Sequence, residues 1–156
     1  MDLLSANISI ATLGYVGFFP WAPGTVASLV TIILVWVSQY FFCTSTVALV
    51  SFFSCLFFVG WYVAGIVETF YKHKDPSFIV IDEVVGMGLA SAYAGVDIQS
   101  LIIVFALFRF FDIVKPFPIN LLDQKCTGGF GVMIDDLGAA LAALFVFKGI
   151  SLVFFF

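Results

Sequence analysis

Four short clusters carry most of the residues able to do chemistry. Asp82 and Glu83 stand side by side in the apolar run "SFIVIDEVVGMGLASAYAG", from Ser77 to Gly95. Arg109, Asp112 and Lys115 recur at i, i+3 and i+6, one slanted stripe on a helix. Asp135 and Asp136 form a second acid pair, preceded by the glycine-rich "GGFGVM". Pro23, Gly24 and Thr25 open another apolar run.

The five carboxylates Asp82, Glu83, Asp112, Asp135 and Asp136 are hard oxygen ligands that suit Mg²⁺, Mn²⁺ or Ca²⁺. Close carboxylates repel and take up protons unless a cation intervenes. Pairing with Arg109, Lys115 and Lys125 is the simpler alternative, but three cations do not neutralise five acids. Arginine forks onto phosphate oxygens and lysine gives them a point charge; Lys115 could equally snorkel at a helix end. Gly24 and Thr25 at a helix start offer free N–H groups to an anion, or form an ordinary cap. Gly128 and Gly129 allow a phosphate-approach loop or a plain linker, and Asp135 and Asp136 also suit a helix first turn as caps. His73 is a single imidazole in a basic break, and zinc would want Cys and His together.

The elements that must position these groups are set by composition. Of 156 residues, 63% are hydrophobic, 21 are Phe and only 10% are charged. A soluble domain this small cannot bury so much apolar surface. The reading is an integral membrane protein, one domain over residues 1–156. A net charge of −4 with no basic stripe excludes a nucleic-acid partner. Cys43, Cys55 and Cys126 show no metal or disulfide spacing, and no signal peptide is evident.

Apolar segments are expected at Val26–Cys43, Thr44–Val67, Phe78–Val96, Ile98–Val114 and from about Asp135 to Phe155. Pro116 and Pro118 end the fourth. The segments are too long and too evenly apolar for barrel strands. The fold class is therefore all-α, a bundle of about five transmembrane helices. Leu3–Phe19 either spans or lies at the interface. Lys72, Lys74, Lys115 and Lys125 fall on one side, which the positive-inside tendency makes cytoplasmic. All four clusters converge near that face, with Asp82 and Glu83 about one and a half turns inside their span. Anion grips, acids for a hard cation and a place beside lipid headgroups point to metal-assisted chemistry on a phospholipid. Neither Cys-x₅-Arg, paired His nor Asp-x-Asp phosphatase machinery is present, which leaves a metal-activated water or an Asp nucleophile. The alternative is a cation or proton transporter using the acids as a relay.

"GFFPWAPGTVASL", "DPSFIVIDEVVGM", "FRFFDIVKPFPINLLD" and "GGFGVMIDDLGAAL" together resemble bacterial phosphatidylglycerophosphatase A, over roughly Leu13 to Phe147. The resemblance implies a Mg²⁺-dependent, multi-pass enzyme of the bacterial cytoplasmic (inner) membrane that faces the cytoplasm. Its reaction would convert phosphatidylglycerophosphate to phosphatidylglycerol. The family's motif carboxylates fall on Asp82, Glu83, Asp112, Asp135 and Asp136, its basic positions on Arg109 and Lys115, and its Pro-Gly-Thr on Pro23, Gly24 and Thr25. Asp82, Glu83, Asp135 and Asp136 are expected to supply most of the metal site. The chain departs from the family's pattern at Ala27, Phe78, Asn120 and Ala140, none of them a carboxylate or Arg109.

Overall fold

The computed structural model describes residues 3–154. Among these, seven α-helices follow one another: α1 Leu3–Ala11, α2 Pro23–Phe42, α3 Thr46–Tyr71, α4 Ile81–Ala94, α5 Ile98–Val114, α6 Ile119–Lys125 and α7 Gly128–Phe154. A 3₁₀ turn, Val16–Phe18, sits between α1 and α2. No strand occurs among the described residues. The all-helical class is as the even hydropathy of the segments requires.

Helix α4 is the axis of the bundle. Ten of its 14 residues are buried, and it packs against α2, α3, α5 and α7. Small residues let neighbours approach it closely. A Cβ on Gly86 would lie 2.7 Å from the Phe108 ring of α5, and one on Gly88 would overlap the Phe53 ring of α3. One apolar cluster joins α4 to α3 through Phe53, Val63 and Val67. A second joins it to α5 and α7 through Phe108, Ala139 and Ala143. Large side chains such as Phe42, Phe58, Tyr62 and Phe145 face outward. An outer surface this apolar is stable only against lipid.

Three helices are long and apolar enough to cross a membrane: Pro23–Phe42, Thr46–Tyr71 and Gly128–Val153. Length and composition thus mark three spans and do not confirm the expected count of about five. At 1.5 Å per residue, α5 reaches about 26 Å and α4 only about 21 Å, against a hydrocarbon core of roughly 30 Å. Helix α1 is about 14 Å long by the same rise. Leu3–Phe19 therefore forms no single spanning helix. The left-handed residues Leu13, Gly14 and Tyr15 turn the chain back after α1.

Two helix starts differ from the sequence expectation. Helix α4 begins at Ile81, so Asp82 and Glu83 occupy its first turn rather than a position one and a half turns inside. Helix α7 begins at Gly128, so Asp135 and Asp136 lie two turns inside it rather than opening it. The expected end of that span, Phe155, lies outside the described residues. Packing overrides the poor helix propensity of the glycines. A Cβ on Gly129 would strike the Trp61 carbonyl and the Gly65 backbone of α3, and one on Gly131 would lie 2.6 Å from the Cys126 carbonyl. The connection before α7 also contains the short helix α6, which the polar composition of that stretch did not announce.

The start of α4 is recessed. Ile81 meets α3 at Gly60, so α3 runs on for about 16 Å beyond that level before ending at Tyr71. The chain returns from Tyr71 to Ile81 through non-helical backbone, and such backbone is tolerated at membrane depth only when protein covers it. Here Ile79 and Val80 are buried, the Val80 N–H donates to the Ala11 carbonyl (2.9 Å), and the buried Glu68 carboxylate accepts from the Asp75 N–H (2.8 Å). At the far end, the Trp36 indole donates to the Val96 carbonyl, and Gln39 and Thr46 donate to that of Ala92.

Candidate functional site

The recess at the start of α4 is the candidate site. A pocket of about 220 Å³ is lined there by Pro23 and Gly24 of α2, Asp82 and Glu83 of α4, Arg109 and Asp112 of α5, Lys115, and Asp135 and Asp136 of α7. Asp75, Ser77 and Ile79 of the descending loop and Ala22 complete the wall. Four elements separated by more than 100 positions thus converge as the sequence clusters implied.

Asp82, Glu83 and Asp136 each offer a carboxylate oxygen within 4.8 Å of the others. Asp82 and Asp136 are buried, and Asp82 Oδ1, Glu83 Oε2 and Asp136 Oδ2 are buried without a hydrogen-bond partner. Leaving buried carboxylate oxygens unpaired is costly, and a shared cation removes that cost. Six carboxylates line the pocket against two cationic side chains. This donor set, all hard oxygen and short of positive charge, fits a divalent ion of the Mg²⁺ type. A phosphate monoester could not approach it uncompensated.

Asp135 differs from the other three expected ligands. It binds Lys115, and its Oδ1 accepts the Asp136 N–H (3.0 Å). Lys115 also faces Asp123 of α6 at 3.4 Å. Burial lowers the proton affinity of this ammonium, but Asp135 and Asp123 reverse the effect and hold it above the usual lysine range. Arg109 pairs with Asp112 at 2.6 Å and reaches toward Glu83 at 3.8 Å. Its buried Nε has no partner, so a guanidinium donor remains for an incoming oxyanion.

At the opposite wall, Gly24 presses on the acids. A Cβ there would overlap the Glu83 carboxylate and come within 3.4 Å of Arg109 Nη1. Helix α2 has Ala22 as its N-cap, with no capping side chain. The first-turn N–H groups of Gly24 and Thr25 thus lack intrahelical partners and are open to an anion. Thr25 follows directly on the pocket wall without lining it.

Gly128 and Gly129, expected to cradle phosphate, are not among the lining residues. Gly129 instead seats α7 on α3, and a Cβ on Gly128 would meet open space at a left-handed φ of +70°. Sequence reasoning missed Asp75, Ser77 and Glu68. For Asp75 and Ser77 the signal was the Asp-Pro-Ser four residues before the acid pair, which read as a polar break. The transporter alternative gains nothing here. Among the described residues, Asp97 and Lys148 are the only charged side chains toward the far end of the bundle, and apolar core separates them from the pocket.

A family model described as phosphatidylglycerophosphatase A matches residues 9–151. A phosphatidylglycerophosphatase A of Haemophilus influenzae is 42% identical over 96 residues, which is 61% of this chain and 59% of that relative. A Bacteroides thetaiotaomicron protein provisionally named phosphatidylinositol-3-phosphatase is 37% identical over 134 residues, 80% of each chain. The Escherichia coli phosphatidylglycerophosphatase A is 32% identical over 136 residues, 85% of this chain and 77% of that one. No solved structure matches.

Proposed function

Because the chain belongs to the phosphatidylglycerophosphatase A family, we propose that it is a Mg²⁺-dependent phosphatase that hydrolyses phosphatidylglycerophosphate to phosphatidylglycerol and inorganic phosphate. The observation that carries this reading is the trio Asp82, Glu83 and Asp136, with unpartnered buried oxygens facing Arg109 across one pocket. These three residues would hold the ion. A bound Mg²⁺ would polarise the phosphoryl oxygens and activate a water nucleophile.

The chain's own groups do the rest. Arg109, oriented by Asp112, grips one phosphoryl oxygen through its free donors. The N–H groups at the start of α2 meet another. Lys115 and Asp135 neutralise each other at the rim and fix the end of α5 to α7. The lysines Lys72, Lys74, Lys115 and Lys125 share the pocket's end of the bundle, which supports a multi-pass inner-membrane protein with its site toward the cytoplasm.

The test is phosphate release by the purified protein in mixed micelles. Phosphatidylglycerophosphate, phosphatidic acid and phosphatidylinositol 3-phosphate would be compared, each with Mg²⁺ and with chelator. Release that needs Mg²⁺ and favours the first lipid is expected. Preference for the inositol lipid would move the substrate assignment, and no release from any of them by folded protein would refute the phosphatase reading.

A further inference from the structure

A groove of about 290 Å³ runs between α2 and α5 on the outer face of the bundle. Leu29, Ile33 and Trp36 line one side and Ile98, Ile102 and Phe105 the other. Each set is spaced i, i+4, i+7, so each is one face of its helix. Every lining residue is aliphatic or aromatic. We propose that this groove holds one acyl chain of the lipid whose phosphate occupies the polar pocket, a proposal that rests on the phosphatase reading above.

Continuity with the pocket carries the assignment. The two helices that form the groove also carry Gly24 and Arg109, which face each other across the pocket. Leu29 lies about 7 Å along α2 from Gly24, and Phe105 about 6 Å along α5 from Arg109. The groove therefore begins little more than one helical turn from the pocket on both helices, with no lining residue in common. Trp36 lines it at the far end, where its indole donates to the Val96 carbonyl (3.2 Å) in the turn between α4 and α5. A larger apolar cavity of about 440 Å³ exists between α1, α2, α3 and α4. It contains no residue of α5, the helix that carries Arg109, and its first α2 residue is Thr31, seven positions beyond Gly24 against five for Leu29 of the groove.

In a bilayer the chain gains no hydrophobic transfer energy by entering the groove, since lipid tails are equally apolar. What the groove contributes is position. A chain lodged between α2 and α5 places its headgroup at the α2 N-terminus and Arg109, rather than leaving it free to sample the surface.

Ile33→Trp and Ile102→Trp would fill the groove without touching the pocket. Both variants and the unaltered protein would be assayed on dioleoyl and dihexanoyl phosphatidylglycerophosphate in detergent micelles. We expect kcat/KM for the dioleoyl lipid to fall about tenfold or more, the scale set by misplacing a reacting group, with the dihexanoyl lipid unaffected. Equal loss on both lipids, or none, would overturn the assignment while the phosphatase reading stood. An unaltered protein that hydrolysed neither lipid would remove the reading itself. A second measurement needs no variant: a phosphatidylglycerophosphate analogue with a mid-chain diazirine, photolysed in the unaltered protein. Adducts within residues 29–36 and 98–105 are expected. Adducts in the α1–α3 cavity, or spread evenly over the outer faces, would count against the groove.

Discussion

Gly24→Ala is the sharpest probe of the pocket, because it adds one methyl group at a known place. The added Cβ would lie 2.7 Å from Glu83 Cδ, where ordinary contact starts at 3.4 Å. Glu83 Oε1 is nearer still and would overlap the methyl, so the carboxyl must retreat by more than about 1 Å, and it can move only away from α2. A misplacement of about 1 Å in a catalytic constellation costs on the order of 100-fold in rate. The expected loss in kcat/KM is thus about 100-fold or more, or roughly 2.7 kcal/mol or more of transition-state stabilisation. Stability should not follow. Alanine is favoured over glycine in a helix by up to about 1 kcal/mol, and Gly24 has no left-handed φ that alanine would resist. The assay is phosphate release against Mg²⁺ concentration, with a thermal melt of the same preparation. Half-saturation by Mg²⁺ should shift upward and the melting temperature hold. Glu83→Asp withdraws the carboxyl by one methylene, so the double variant should lose less than the sum of the singles. Full activity in Gly24→Ala, with unchanged Mg²⁺ dependence, would mean that Glu83 does not abut α2 in the working enzyme.

Other substitutions separate the roles within the pocket. Asp136→Asn is expected to abolish turnover in a protein that still folds; retained activity would remove Asp136 from the metal trio. Arg109→Lys keeps the charge but loses the fork that Asp112 orients, so kcat/KM should drop about 10-fold or more, and an unchanged value would argue against bidentate phosphate contact. Glu68→Ala leaves the Asp75 N–H without its acceptor, at a stability cost of about 1–3 kcal/mol; Glu68→Gln retains an acceptor and should recover most of it in a thermal melt.

The site was more legible in the sequence than the fold around it. Carboxylates in an apolar chain are expensive enough that their presence marks a function, so Asp82, Glu83, Asp112, Asp135 and Asp136 stood out before any geometry. Their level in the bundle was also readable, from lysines on one set of turns. The helix starts were not. Phe78–Val80 reads as the start of an apolar span, yet it is a loop in which the Val80 N–H donates to the Ala11 carbonyl, a contact across almost 70 positions. Gly128 and Gly129 read as a phosphate-approach loop or a linker, yet they begin α7, where Gly129 meets a face of α3 that only glycine fits. The division among the acids was hidden for the same reason. Asp135 and Asp136 are neighbours in the chain, but a helix points them about 100° apart, one to Lys115 and the other to the trio.

The overhang of α3 beyond the start of α4 ties the reaction to the dimensions of the host bilayer. The pocket's height is set by the protein frame, since α4 is held at one end by Trp36, Gln39 and Thr46 and at the other by the Ala11 contact. The height of the headgroups is set by the lipids. A membrane thickened by longer tails lifts the phosphates away from the acids, and matching the two again costs fractions of a kcal/mol per Å of mismatch. Turnover then reads membrane thickness, so an enzyme that makes a phospholipid would itself be responsive to the chain length of the phospholipids already there.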